Sequence, residues 1–184
     1  MRVGVLALQG CVDPHLRHIA KLSAQGFKVR SAKELQKVDR IILPGGESTT
    51  MLKLLHTSGL FSELIKFAQT KPVWGICAGA ILIAKAVANP SQESLDLINI
   101  RAERNYYGSQ LDSFEAEIKI EPLSKTIRAQ FIRAPLLSAL SDKVKVLATY
   151  NDSEVLFSEG RIMASAFHTE LGEDSSLHQY FLGI

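Results

Sequence analysis

Short apolar runs alternate with amphipathic stretches from the first residues onward. Residues 2–8 are nearly continuously apolar, the pattern of a strand buried on both faces. Asp13-Pro14 reads as a helix N-cap followed by a first-turn proline, ahead of a helix over 15–25 with Leu16, Ile19, Ala20 and Leu22 on its apolar side. Gly26 closes that helix; a strand over 27–30, a short helix over 33–36 and a strand over 40–43 follow, the last stopped by Pro44-Gly45-Gly46. Helices are then predicted over 49–56 and 61–69, a strand over 72–76 and a helix over 78–88. This alternation predicts an α/β fold whose mostly parallel sheet is covered by helices on both faces. The second half is richer in strands, over 115–120, 127–132, 144–150, 154–158 and 162–166, and its short connections predict antiparallel additions to the sheet. Residues 89–93 read as a mobile surface loop.

A chain of 184 residues, 46% hydrophobic and 22% charged, fits one folded domain. Its net charge of +2 carries no electrostatic footprint for nucleic acid or an anionic membrane. The longest apolar stretch, 75–84, meets Lys85 after about half of what a membrane span needs. The N-terminal apolar run ends at Gln9-Gly10, too early for a signal peptide. Two cysteines, Cys11 and Cys77, are too few for a disulfide framework. A soluble cytoplasmic protein is expected.

Candidate chemistry begins at Gly75-Ile76-Cys77-Ala78-Gly79, where Gly-x-Cys-x-Gly falls between a strand and a helix. That is the layout of a nucleophile elbow with cysteine in place of serine. The glycines answer a tight turn that leaves no room for side chains. A helix starting at Cys77 aims its N–H groups at the sulfur and favours thiolate, and the Ala78 N–H is placed to bind an oxyanion. On this motif alone a buried, inert Cys77 is an equal reading; Cys11 has no such context and reads as structural.

Farther along, Phe167-His168-Thr169-Glu170 follows a strand. On an extended segment residues i and i+2 face the same side, so Glu170 can hold the His168 imidazole toward a nucleophile. His15, His18, His56 and His178 read as surface or hydrogen-bonded side chains. Pro44-Gly45-Gly46-Glu47-Ser48-Thr49-Thr50 ends a parallel strand, where open sheets place their sites, and lacks the Lys-Ser/Thr ending of a phosphate loop. Its glycines expose N–H groups to an oxyanion or a ligand carboxylate, and Glu47 suits an ammonium. The other reading is a plain helix cap at Ser48 or Thr49 with Glu47 in solvent. Arg104 and Arg133 are either carboxylate-binding or solvated.

Taken together these segments resemble the class I glutamine amidotransferases, and within them the glutaminase subunits of pyridoxal 5′-phosphate synthase. The resemblance runs through Leu8-Gln9-Gly10, 43–50, 75–79, Arg104-Asn105 with Gly108, Ser113-Phe114-Glu115, 131–135 and Phe167-His168 with Glu170-Leu171. It implies a flavodoxin-like three-layer fold and a Cys77-His168-Glu170 triad that hydrolyses L-glutamine through a thioester, without metal or cofactor. Gly46, Glu47, Ser48, Arg104, Ile132 and Arg133 would contact glutamine; Gly45, Gly46 and Ala78 would form the oxyanion hole. Gln9 would lie at the face meeting the partner, a (β/α)₈-barrel synthase subunit in a large hetero-oligomer. The chain departs from the family pattern at Pro14 (usually Glu), Thr169 (usually Pro) and Ser109 (commonly Arg). The remaining readings are the glutaminase of another amidotransferase, such as that of histidine biosynthesis, and a weakly catalytic regulatory subunit of the same complex.

Overall fold

Four of the predicted apolar runs form parallel neighbours on one side of a seven-stranded sheet: β1 (Arg2–Leu6), β2 (Gln25–Val29), β3 (Arg40–Leu43) and β4 (Val73–Ile76). A computed structural model describes residues 1–104 and 113–184 of the chain. The strand order is completed by β12 (Ile162–Ser165), which is parallel to β4 and not the antiparallel addition expected over 162–166, then β11 (Ser153–Glu159), antiparallel to β12, and β10 (Lys145–Tyr150), antiparallel to β11, giving β10-β11-β12-β4-β3-β1-β2. Every residue of β3, β4 and β12 is buried, as central strands covered on both faces require.

The helices are α1 (Asp13–Lys21), α2 (Ala32–Leu35), α3 (Ser48–Thr57), α4 (Leu60–Ala68), α5 (Ala78–Ile83) and α6 (Ser176–Leu182). Adjacent residues of β4 show that both faces are covered. The Trp74 ring meets His15 of α1 and His178 and Phe181 of α6, whereas a Cβ on Gly75 would point at Gly79 and Ile83 of α5.

Several expectations change. The helix predicted over 78–88 ends at Ile83; Ala84 turns extended, and β5 (Ala84–Ala88) pairs in parallel with β6 (Ile98–Glu103). With β9 (Leu136–Ala139), antiparallel to β6, these strands build a second, three-stranded sheet. The strands expected over 115–120 and 127–132 are not additions to the main sheet. As β7 (Phe114–Ile120) and β8 (Lys125–Phe131) they form their own hairpin, moored by the stacked rings of Phe114, Phe131 and Tyr150 of β10. Asp13 is not the cap of α1: Val12 holds that place, and Asp13 opens the helix with its carboxylate 2.7 Å from Lys28 Nζ. The helix ends at Lys21 rather than 25. The 89–93 segment is tied at its end by Gln92, whose Oε1 accepts from Ser48 Oγ at 3.1 Å, and by Glu93, 2.8 Å from His56 Nε2.

Candidate active site

Cys77 joins β4 to α5 at φ 50° and ψ −104°, a conformation that costs an L-residue free energy and holds only when the surroundings dictate it. Two hydrogen bonds and two glycine close approaches dictate it. The Cys77 N–H donates to the Ser165 carbonyl at 2.8 Å, and the Cys77 carbonyl accepts from Ile81 N–H at 3.1 Å. A Cβ on Gly75 would come within 2.5 Å of the Gly79 carbonyl oxygen, and one on Gly79 would strike the Leu43 carbonyl. The two glycines of Gly-x-Cys-x-Gly therefore let α5 press on β3 and β4, and that pressure fixes the thiol's direction. The Cys77 Sγ lies 3.7 Å from the Ile132 carbonyl oxygen.

His168 follows β12 on a segment kept extended by a two-way bridge: its N–H donates to the Gln130 carbonyl at 2.8 Å and its carbonyl accepts from Gln130 N–H at 2.9 Å. Its Nδ1 is 2.6 Å from Glu170 Oε1, both side chains being buried. The ring lies against the Cα of Gly45, where any Cβ would collide with Cε1. Burial opposes a charge on His168, but hydrogen bonds to Cys77 and Glu170, reinforced by their negative charges, outweigh it and lift the pKa to about 10. Burial likewise opposes charge on Glu170, yet the His168 hydrogen bond and the nearby imidazoles keep its pKa below the usual carboxylate value.

The loop after β3 faces this pair. Glu47 is the N-cap of α3, accepting from Thr49 N–H at 3.1 Å and Thr50 N–H at 2.6 Å. Burial would raise its pKa, but these hydrogen bonds prevail and lower it to about 2. Neither Ser48 nor Thr49 caps the helix, and Glu47 is not an idle solvated side chain. Arg104 Nη2 donates to Thr49 Oγ1 at 3.0 Å and lies 3.7 Å from Glu47 Oε1, so the cap and the arginine form one unit. Gln9 Oε1 accepts from Glu47 N–H at 2.9 Å, which leaves no room for a side chain at Gly46. Arg133 is exposed at the rim with φ 47°.

A cavity of about 450 Å³ opens where these elements meet. Cys77, Ala78, His168, Gly45, Gly46, Glu47, Ser48, Arg104, Ile132, Arg133 and Gln9 all line it, and Glu170 stands behind His168. Asn105, Gly108 and Ser109 lie outside the described residues. Not expected from the sequence are Cys11, which also lines the cavity, His15 and His18, which are buried beside Glu170, and His178, which is buried against His15. The spacing of His15, His18 and Ile19 on one face of α1 was the available signal for the first two. Among the described residues no group of three or more His, Cys, Asp or Glu side chains could hold a metal ion, and no helix is long and apolar enough to cross a membrane.

A thiol on a strained strand-to-helix turn and an imidazole backed by a buried carboxylate, on a mostly parallel α/β sheet, have the architecture of a glutamine amidotransferase. The comparisons agree: the chain belongs to the SNO glutamine amidotransferase family, matched over residues 5–183. It is 46% identical to the pyridoxal 5′-phosphate synthase subunit PdxT of Solibacter usitatus (strain Ellin6076), over 98% of this chain and 97% of that protein. PdxT of Thermosipho africanus (strain TCF52B) is 43% identical, over 100% and 98%. A crystal structure of a glutamine amidotransferase superposes with a TM-score of 0.92 at 40% identity, covering 98% of this chain and 97% of the other. PurLQS from Thermotoga maritima shares the fold alone, with a TM-score of 0.73 at 18% identity over 99% and 97%.

Proposed function

We propose that this chain is the glutaminase of a pyridoxal 5′-phosphate synthase, with Cys77, His168 and Glu170 as its catalytic triad. The observation that carries the reading is the buried 2.6 Å contact of His168 with Glu170, in the same cavity as a thiol on a strained turn. The Cys77 sulfur, as thiolate, attacks the side-chain amide carbon of L-glutamine, and the carbonyl electron pair moves onto oxygen. Backbone N–H groups of Ala78 and of the Gly45-Gly46 loop receive that oxyanion. His168 gives its proton to the amide nitrogen, the C–N bond breaks, ammonia leaves and a thioester remains. His168 then takes a proton from water as the water attacks, the C–S bond breaks, and glutamate departs with the thiol regenerated. Throughout, Glu170 holds the ring by Nδ1 and offsets its charge.

Gly46, Glu47, Ser48, Arg104, Ile132 and Arg133 form the glutamine site. Glu47 and Arg104 present a matched carboxylate and guanidinium to the ends of an amino acid. Ammonia released into water is protonated and loses its nucleophilicity, so a partner receiving it directly is expected. The names of the PdxT relatives support a synthase partner, here a (β/α)₈-barrel subunit in a large hetero-oligomer, with Gln9 on the docking face. A family match over residues 5–183 supports one glutaminase domain, and the free thiols of Cys11 and Cys77 suit the reducing cytoplasm.

Glutamate release from L-glutamine, by the chain alone and with its synthase subunit, tests the reading when Cys77→Ala is run alongside. Activity that rises with the synthase and vanishes in Cys77→Ala is expected. Equal activity without the synthase overturns the docking argument, and a stable but inactive complex overturns the glutaminase.

A further inference from the structure

Glu170 is approached, at the same Oε1 that meets His168 and at its backbone carbonyl, by a pair of histidines one turn apart on α1. His18 Nε2 lies 3.2 Å from the Glu170 backbone carbonyl, and its Nδ1 lies 2.7 Å from Ser175 Oγ. His15 Nε2 lies 3.7 Å from the Glu170 carboxylate, and neither side chain is exposed to solvent. On its other side, His15 Nδ1 is 2.9 Å from His178 Nε2 of α6. Four buried atoms in this neighbourhood have no hydrogen-bond partner among the described residues: His15 Nε2, Glu170 Oε2, Thr169 Oγ1 and His178 Nδ1. None of the three α1 and α6 histidines lines the cavity.

The protons can be assigned. One proton lies between His15 Nδ1 and His178 Nε2. If His15 supplied it, the lone pair of His15 Nε2 would face a carboxylate, and His178 Nδ1 would be a buried N–H with no acceptor. If His178 supplies it, His15 carries its proton on Nε2, directed at Glu170, and His178 Nδ1 is left only as an unused acceptor. The second arrangement removes the repulsion and moves the unpaired donor from His178 Nδ1, which faces no acceptor, to His15 Nε2, which faces a carboxylate oxygen 3.7 Å away. His15 stays neutral, since burial outweighs the attraction of Glu170 and brings its pKa to about 4; burial and the neighbouring imidazoles also push His178 well below the ordinary value.

We propose that His15 is a positioning residue of the glutaminase, whose tautomer is set by His178 and whose Nε2–H keeps Glu170 ionised and aimed at His168. The inference rests on the glutaminase reading and deepens it. Among the described residues the Glu170 carboxylate has a single side-chain hydrogen bond, from His168. A buried carboxylate held by one donor is free to swing and costly to ionise. The titratable groups facing this pair are His168 beside Glu170, His178 from α6, His18 on α1, and Cys11, whose thiol is raised by burial and then by the Glu170 charge.

The test compares His15→Phe and His15→Gln in the complex with the synthase subunit. Phe keeps the ring volume without a donor, whereas Gln offers an amide N–H near the position of Nε2. His15→Phe is expected to lower kcat by roughly 10- to 100-fold, as loss of positioning does. Its KM for glutamine stays unchanged, and the acid limb of its pH–rate profile moves to higher pH because Glu170 is harder to ionise. His15→Gln restores most of kcat and the acid limb. Wild-type kinetics in His15→Phe, or equal losses in both variants without movement of the acid limb, overturn the proposal. Nitrogen NMR of the wild-type ring decides independently of activity: a proton on His15 Nε2 supports it, and one on Nδ1 overturns it. A wild-type complex that releases no glutamate would instead sink the glutaminase reading and leave this proton assignment to be decided by the NMR alone.

Discussion

Gly79 turns its Cα toward the Leu43 carbonyl so closely that no Cβ could be accommodated, and this contact seats the first turn of α5 against β3. The obstacle is backbone, which cannot rotate aside as a side-chain tip can. Gly79→Ala must therefore push α5 away from the sheet, at a cost of about 1–3 kcal/mol. In a chain of this length that lowers Tm by roughly 2–12 °C, taking about 2–4 °C per kcal/mol. Cys77 moves with the helix, so glutaminase activity should fall more than stability does. Thermal unfolding and glutamate release on the same sample check both; a fully active Gly79→Ala would show that the elbow does not depend on this contact.

Glu47 ties the cap of α3 to Arg104 and thereby to the cavity wall. Replacing it with Ala removes the acceptor for two N–H groups, an effect of about 1 kcal/mol for a capping residue. Its pKa is lowered, so its contribution is present above its ordinary value near 4.5 and is lost as pH falls toward about 2. The Tm difference between wild type and Glu47→Ala should therefore be constant near neutrality and close up in acid. A difference that persists unchanged at low pH would assign the effect to packing instead.

Much of this site was legible because its signals are local. Gly-x-Cys-x-Gly announces an elbow within five residues, although the steric demand on Gly79 comes from the Leu43 carbonyl of β3, and His168-x-Glu170 lies on one extended segment. What escaped was decided by contacts distant in sequence. The run after Ile83 is alanine-rich with no glycine or proline to stop a helix, yet pairing with β6 draws it into a strand. β7 and β8 were recognised as strands, but their choice of sheet depends on rings stacking across the fold. The histidines around Glu170 come from α1 and α6, and α6 itself was not foreseen. Their burial is intelligible only once β4 places Trp74 between those helices.

Trp74 supplies a separate check on the floor of the site. Its indole N–H donates to Ser165 Oγ at 3.1 Å, with both residues essentially without solvent exposure. Ser165→Ala leaves that donor unsatisfied and should destabilise the fold by about 1–3 kcal/mol. The Ser165 carbonyl, which accepts from Cys77 N–H, is unaltered by the change. Activity per folded molecule should therefore remain close to wild type, as measured by urea denaturation alongside kinetics. A large loss of activity in a stable variant would mean that the hydroxyl matters to the elbow as well.

The sharpest pH signature belongs to His168 and Glu170. His168 titrates in the folded protein near 10, above its ordinary 6.5, so the stability its protonation brings is complete below pH 6.5 and disappears as pH rises to about 10. Glu170→Gln removes a negative charge from that pair and lets an amide present either its oxygen or its N–H₂ to His168 Nδ1. Presenting the N–H₂ would leave the imidazole in the wrong tautomer to act as base toward Cys77. By analogy with neutral replacements in other triads, kcat should drop by about 10³- to 10⁴-fold. The folded pKa of His168 falls back toward its ordinary value, so the decline of wild-type Tm between neutral pH and about 10 should flatten in the variant. Thermal melts across that range, read beside the pH–rate profile, check both. A Glu170→Gln variant with the wild-type slope would show that Cys77 alone holds the charge on His168.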